Sequence, residues 1–185
     1  MLTNIEFYNT PTGDVMCKLL DQPVKVLTQS DREVIESMLS ILRDRYPIAF
    51  ARLSELYSKS EKNRWAFEFN MVHRFCRCNF GEYDQYKPDI DHRGVFHFEE
   101  VHCPLRGCYC IHEGVICKPE LDTRLSDREK EVVKLIAEGC QSMDIANELG
   151  LSVATVNRHR ENIKAKLQLR NTGEVVSWYH NNLKK

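Results

Sequence analysis

Residues 125–167 read LSDREKEVVKLIAEGCQSMDIANELGLSVATVNRHRENIKAKL, and this stretch decides the fold of the C-terminal part of the chain. Ser126 and Glu129 have capping-box spacing, in which each side chain bonds the backbone N–H of the other residue at the start of a helix. Gly139 is suited to end that helix, and Ser152 is suited to cap a third helix after a second short one. Two helices joined by about four residues that include glycine have the spacing of a helix-turn-helix. The stretch therefore predicts three short helices with tight turns.

The third predicted helix has a polar outer face that fits a groove of DNA. Asn157, Arg158 and Glu161 follow helical spacing and point away from the apolar Val156. Asparagine can make paired hydrogen bonds to adenine, and arginine can make them to guanine. Residues 152–170 contain five Lys or Arg and one Glu, a net charge of +4, whereas the whole chain has a net charge of -1. Positive charge is thus concentrated where phosphates would lie. The alternative is an ordinary helical bundle with a solvated basic face.

The same stretch resembles the LuxR/FixJ family, whose DNA-binding domain is the GerE-type helix-turn-helix. The residues that carry the resemblance are Leu125, Arg128, Glu129, Val132, Leu135, Ile136, Gly139, Ile145, Ala146, Leu149, Ser152, Thr155, Val156, His159, Asn162, Ile163, Lys166 and Leu167. They cover the C-terminal third of the chain. The resemblance implies an all-α domain of four helices, with its third helix in the major groove of DNA, and a role in transcriptional regulation.

The resemblance also implies which residues contact DNA. Asn157, Arg158 and Glu161 would face the bases, and a second group would lie near phosphates. The full predicted interface is Ser152, Thr155, Asn157, Arg158, Glu161, Lys164 and Lys166. Glu161 departs from the basic or polar residue that is common at its position. It could accept a hydrogen bond from cytosine, or it could weaken binding.

A fourth helix, from Thr172 to Leu183, is implied by the resemblance and has an apolar side that includes Trp178. In the family this helix often pairs two domains across a two-fold axis, so a homodimer on an inverted repeat is one hypothesis. The other is that Trp178 only packs on the first helix of its own domain.

The N-terminal part of the chain has the patterns of both strands and helices. The segments with strand-like runs or alternation are Ile5 to Tyr8, Val15 to Leu19, Val24 to Leu27, Trp65 to Phe75 and Val95 to Val101. A capping-box pattern at Ser30 predicts one helix, and Pro47 can begin the next. We therefore expect an α+β domain with short strands and two or more helices.

The chain is long enough for two small domains. The helix-turn-helix leaves roughly 120 residues, which can form a modest core of their own. A proline followed by mostly polar residues places the boundary near Lys118 to Arg124, so we expect domains at 1–118 and 119–185. The sequence has no run of 18 apolar residues and no signal-peptide pattern, so we expect a cytoplasmic protein without a membrane partner.

Cysteine is concentrated in one part of the predicted N-terminal domain. Of the eight cysteines, the six in this part are Cys76, Cys78, Cys103, Cys108, Cys110 and Cys117. In a cytosolic chain such a density favours metal ligands over disulfides. The two Cys-x-Cys pairs would place both sulfurs on one face if their backbone is extended. The leading set for one site is Cys78, Cys103, Cys110 and Cys117, with Cys76 and Cys108 as substitutes or as ligands of a second site.

Zinc with a structural role is the first expectation for this cysteine cluster. Thiolates bind zinc tetrahedrally, and a segment with few long apolar runs gains stability from a metal that its own core lacks. An iron–sulfur cluster is the alternative, and it would make the domain a redox sensor. Reduced thiols without a metal and disulfides are the remaining possibilities.

The motifs disfavour an enzyme. His97-Phe98-Glu99 before Cys103 partly resembles the zinc deaminase pattern, but Cys103 precedes its proline and the spacing to Glu99 is too short. The sequence contains no glycine-rich phosphate loop and no pattern of a phosphorylated receiver domain. We therefore predict a sequence-specific regulator that binds double-stranded DNA. A metalloenzyme tethered to DNA and a protein-interaction adaptor are the two rival classes, and the sequence identifies no small-molecule ligand.

Overall fold

The computed structural model describes residues 2–19, 22–83, 87–92, 94–107 and 109–183. Contacts within the chain divide it into two compact units, residues 1–121 and residues 122–185. We call them the N-terminal unit and the C-terminal unit. The division lies within the stretch of residues 118–124.

The N-terminal unit begins with a small antiparallel sheet. Its strands are β1 (Ile5–Asn9), β2 (Val15–Leu19) and β3 (Lys25–Val26), in the order β1-β2-β3. Phe7 lies opposite Cys17 across the first pair, and both side chains are fully buried. The short strand-like runs therefore predicted the strands correctly, because the sheet packs on the core.

Three helices follow the sheet: α1 (Arg32–Arg45), α2 (Pro47–Leu56) and α3 (Arg64–Asn79). Helix α3 packs against β1 and β2, and α1 and α2 pack against α3. A short 3-10 turn, Ser58–Ser60, precedes α3. The predicted capping box at Ser30 is wrong, since α1 begins after Asp31. The Asp31 carboxylate instead accepts a hydrogen bond from the Thr28 amide at 2.8 Å and orders the turn before the helix.

The predicted strand from Trp65 to Phe75 is wrong, because these residues form most of α3. The helix buries Met71, Val72, Phe75, Cys76 and Asn79 on one side. Those positions follow the spacing of a helical face. The alternating large residues that suggested a strand are divided between this buried face and the sides of the helix. Trp65, for example, is 55% exposed, and the Arg32 guanidinium lies over its ring.

The predicted strand from Val95 to Val101 is also wrong. This segment has only an isolated backbone bridge, between Ile90 and Phe96. Phe96 and Phe98 nevertheless pack on the aromatic core, with ring centroids 5.7 and 5.6 Å from that of Tyr46. Burial of these rings and a few backbone hydrogen bonds, such as that from the His97 amide to the Asp89 carbonyl at 2.8 Å, thus hold the segment in place without a continuous strand.

The C-terminal unit is a bundle of four helices: α4 (Asp127–Ala137), α5 (Ser142–Leu149), α6 (Val153–Leu167) and α7 (Thr172–Asn182). The predicted capping box at Ser126 and Glu129 is present at the start of α4. The residues that form the buried core are Leu125, Val132, Val133, Ile136, Ile145, Ala146, Val156, Ile163 and Val175. Within the described residues, none of the helices has the length and apolar character needed to cross a membrane.

Candidate functional site

Helix α6 of the C-terminal unit presents one buried side and one polar side. Val156 and Ile163 lie fully buried against α4 and α5 and fix the rotation of the helix. The Ser152 hydroxyl accepts a hydrogen bond from the Thr155 amide at 3.1 Å, so the first turn of α6 is capped. Ser152 and Thr155 thus have a structural role in addition to the predicted position near DNA.

The exposed side of α6 carries the residues predicted to face the bases. Asn157, Arg158 and Glu161 are all exposed, on the side away from Val156. Arg158 has no ion pair within the part of the chain that the structure describes. Its guanidinium is therefore available to a ligand. We call Asn157, Arg158 and Glu161 the α6 strip.

Two lysines that were predicted to lie near phosphates are engaged in ion pairs. Lys164 Nζ lies 2.9 Å from Glu161 Oε1, one helical turn away. Lys166 Nζ lies 2.6 Å from Oε2 of the buried Glu129 on α4. The positive charge of both lysines is thus partly balanced within the unit, and their contact with phosphates stays a prediction.

Val153 was not among the predicted interface residues. It is 41% exposed in the first turn of α6, four residues before Asn157, and so extends the α6 strip towards the N-terminus of the helix. An exposed apolar side chain at this place can contact the methyl group of thymine. The signal in the sequence was a valine at an outward helical position, which composition alone does not distinguish from a core residue.

Residues 123–179 match the family described as "Bacterial regulatory proteins, luxR family". The matched residues include α4, α5, α6 and most of α7. Residues 123–179 are a LuxR-family helix-turn-helix domain.

Individual relatives show the same similarity. The chain is 35% identical over 83 residues to the uncharacterized response regulatory protein YgeK of Escherichia coli. The aligned residues are 45% of this chain and 52% of YgeK. It is 44% identical over 54 residues to the oxygen regulatory protein NreC of Staphylococcus haemolyticus, which is 29% of this chain and 25% of NreC. It is 40% identical over 57 residues to the transcriptional regulatory protein TdiR of Thauera aromatica, which is 31% of this chain and 25% of TdiR. The chain thus matches about half or less of each relative's length.

The second candidate site lies outside the LuxR-family domain, among the cysteines of the N-terminal unit. Helix α3 runs through both Cys76 and Cys78, so the expectation that an extended backbone places them on one face is wrong. Residues two apart on a helix point to nearly opposite sides. Cys76 is fully buried in the core, and this burial raises the pKa of its thiol. Cys78 is only partly buried and lines a cavity.

Four cysteines share that cavity, whose volume is about 490 Å³. They are Cys78, Cys103, Cys110 and Cys117, and we call them the cavity thiols. Cys117 and its neighbours Cys78 and Cys110 influence one another's ionisation, which agrees with their shared place in the cavity. All four are free thiols in the structure. Cys108 lies outside the described residues.

A buried asparagine brings Cys117 to Cys78. The Asn79 side chain donates to the Ile116 carbonyl at 2.8 Å and accepts from the Lys118 amide at 2.6 Å. These two bonds clamp the backbone on either side of Cys117 to the last turn of α3. Cys117 therefore lies beside Cys78, although 39 residues separate Lys118 from Asn79 in the sequence.

The charges around the cavity thiols affect their ionisation. The hydrogen bond from Cys117 lowers the pKa of Cys78 against the opposing effect of burial, and the nearby Arg74 guanidinium lowers it further. The pKa of Cys117 is raised, first by its hydrogen bond to Cys78 and then by burial. Across residues 2–19, 22–83, 87–92, 94–107 and 109–183, no three His, Cys, Asp or Glu side chains stand in a ready arrangement around a metal ion.

Proposed function

We propose that the chain is a transcriptional regulator that binds double-stranded DNA and recognises sequence through helix α6. The observation that carries this proposal is the α6 strip, which lies on a capped helix of a LuxR-family domain. Two of its exposed side chains, Asn157 and Arg158, are able to make paired hydrogen bonds with bases. The names of NreC and TdiR, a regulatory and a transcriptional regulatory protein, support the same function.

Each part of the interface has a different role in this mechanism. Asn157 and Arg158 read base edges in the major groove, with adenine and guanine as their preferred partners. Ser152, Thr155 and Lys164 lie along the same helix and orient it on the phosphate backbone. Because phosphate contacts release counterions, binding weakens steeply as the salt concentration rises.

The regulator is proposed to act as a homodimer on DNA. Two identical domains related by a two-fold axis would place two copies of α6 in successive major grooves of an inverted repeat. The three residues of α7 that are exposed on one side are Ser177, His180 and Asn181, and they are available for such a contact.

The N-terminal unit is proposed to bind a metal through its cysteine cluster, with zinc in a structural role. The support for this is the gathering of the four cavity thiols around one cavity. An iron–sulfur cluster is the second candidate, because four cysteine thiolates are also the ligand set of such clusters.

Selection of DNA from a random pool by the full-length chain tests the proposed function. We expect an enriched sequence with inverted-repeat symmetry, and affinity for it that falls linearly on a logarithmic scale with salt. A protein-interaction adaptor would enrich no sequence. A DNA-tethered metalloenzyme would additionally turn over a substrate at an open metal position.

A further inference from the structure

The cysteines of the N-terminal unit have two different environments. Cys17 and Cys76 are fully buried in the apolar core, where a thiol acts as a small apolar side chain. The cavity thiols instead come from α3 and from three positions in the segment after it, and all four line a single cavity. Packing explains the first group, but it does not explain why four thiols from separate stretches meet at one place.

We propose that Cys78, Cys103, Cys110 and Cys117 bind one zinc ion as four thiolates, and that the ion ties the loop of residues 101–118 to α3. This deepens the metal-binding part of the proposed function and depends on that part, but not on DNA binding. On binding, each thiol loses its proton and its sulfur donates a lone pair to zinc. Four thiols and one Zn²⁺ thus give a site of net charge -2 and four released protons.

The contacts among the cavity thiols favour a single ion. Cys117 lines the same cavity as Cys78, Cys103 and Cys110, so one ion in that cavity can be reached from all four side chains. In a tetrahedral zinc site with Zn–S bonds of about 2.3 Å, neighbouring sulfurs are about 3.8 Å apart, so the four thiols would have to approach one another to this spacing. An iron–sulfur cluster would separate the same sulfurs by its own metal–sulfide core. The side chains turn towards a common centre only on binding, because no ready ligand arrangement is present among the described residues.

Two arginines supply the positive charge that such a site requires. Arg74 and Arg77 line the cavity that the four thiols share, whereas Arg106 is paired with Glu100 at 3.4 Å. Arg74 has no ion pair within the described ranges, and its Nε is buried without a hydrogen-bond partner there. Two adjacent cations offset the net charge of -2 on a four-thiolate zinc site, which would otherwise be costly in a partly buried place.

The loop lacks a core that could hold Cys103 and Cys110 in place. Between residues 102 and 114, no described side chain is buried, and Tyr109 and Ile111 are 82% and 76% exposed. The Asn79 clamp holds the loop only at residues 116–118. A metal bound by Cys103 and Cys110 would fix the remaining part, as it does in small domains with too little apolar surface.

Differential alkylation of the full-length wild-type chain tests the ligand set without any substitution. The protein is stripped of metal, half of it is reloaded with zinc, both halves are alkylated, and mass spectrometry locates the modified cysteines. We expect zinc to protect all four cavity thiols, to leave Cys140 equally reactive in both halves, and to bind at one ion per chain. Zinc protection of only some of the four, or none, would overturn the proposal. Iron and sulfide in the purified protein would overturn the choice of zinc.

Cobalt substitution and matched variants provide the second test. Cobalt bound by four thiolates absorbs strongly in the near ultraviolet and has visible bands typical of tetrahedral coordination. We expect Cys103→Ser and Cys110→Ser to lose more than about tenfold in metal affinity, with weakened thiolate bands. Cys140→Ser is the control and should keep the wild-type spectrum and stoichiometry. Equal losses in Cys140→Ser and Cys110→Ser would contradict the assignment. DNA selection by the same wild-type protein reports separately on the proposed regulator function.

Discussion

The carboxylate of Glu129 and the ammonium group of Lys166 are 2.6 Å apart and join the first turn of α4 to the last turn of α6. The side chain of Glu129 is 4% exposed, and the same Oε2 accepts a hydrogen bond from the Ser126 amide at 2.8 Å. One carboxylate therefore completes the capping box of α4 and fixes the end of the helix that carries the α6 strip.

Replacement Glu129→Gln should destabilise the C-terminal unit by about 1–3 kcal/mol, because the neutral amide weakens charge-assisted hydrogen bonds at a buried position. Unfolding in urea can be followed by Trp178 fluorescence in a Trp65→Phe background, since the chain has only these two tryptophans. Glu131→Gln, on the exposed side of the same helix, is the matched control and should change stability little. A stability loss as large in the control would contradict the role of Glu129.

The same pair predicts how the stability of the C-terminal unit depends on pH. Burial alone would raise the pKa of Glu129, but the hydrogen bonds from Lys166 and Ser126 outweigh it and hold the pKa below its usual range. A carboxylate with a lower pKa in the folded state stabilises the fold fully above its unfolded pKa of about 4.3 and loses that contribution as the pH falls through the folded value. Stability should therefore decline below about pH 4–5 in the wild type and decline less in Glu129→Gln. Parallel pH profiles of the two proteins would contradict this assignment.

Asn79 is predicted to hold the cysteine loop by its backbone. Its side chain is fully buried and bonds three backbone groups, those of Phe75, Ile116 and Lys118. Asn79→Ala would leave the Ile116 carbonyl and the Lys118 amide without these partners and should cost about 2–4 kcal/mol. Amide hydrogen exchange measures this directly, and the Lys118 amide should exchange at least about tenfold faster. Asn182→Ala, which removes one partly buried amide near the C-terminus, is the control. Unchanged protection at Lys118 would show that the clamp is not needed.

Arg158 is predicted to contribute to the choice of bases. Arg158→Ala should cost about 1–3 kcal/mol on the preferred DNA sequence, because a paired hydrogen bond to one base is lost. Binding to random DNA should weaken only slightly. Lys134→Ala removes the same charge from the exposed surface of α4 and is the matched control. Fluorescence anisotropy with the selected and a scrambled duplex measures both affinities. Equal losses on the two duplexes would assign Arg158 to the phosphates.

The fold of the C-terminal unit could be predicted because its local signals agree. The capping box at Ser126, the cap at Ser152 and the apolar periodicity all favour the same helices, and the structure contains them. Contacts between helices were not predictable in this way. The hydrogen bond from Arg160 to Thr172 joins α6 to α7 at 3.2 Å, and only the packed bundle brings these residues together.

The failure at α3 has a specific cause. Residues 65–75 alternate large side chains with a period of two, and this pattern overlies the helical spacing of residues 71, 72, 75, 76 and 79. The helical pattern prevails because those five positions form the buried face. The error also affected the cysteine cluster. A strand would have presented Cys76 and Cys78 together, whereas the helix directs Cys76 into the core and Cys78 to the cavity.

The side chain of Trp178 packs within its own unit, and the pairing of two domains through α7 stays a prediction. Trp178 is partly buried and packs on the core of its own unit, and α7 makes its main contacts with α4. Trp178→Ala should therefore destabilise the unit by about 2–4 kcal/mol even at protein concentrations where the chain is a monomer, because a large aromatic side chain leaves a cavity. Urea unfolding followed by circular dichroism at two concentrations, with sedimentation to define the oligomeric state, measures this.

His180→Ala, on the exposed side of α7, should leave monomer stability unchanged and should weaken DNA-bound dimers if that side forms the two-fold contact. A Trp178→Ala effect that appears only in the dimer would contradict the packing role.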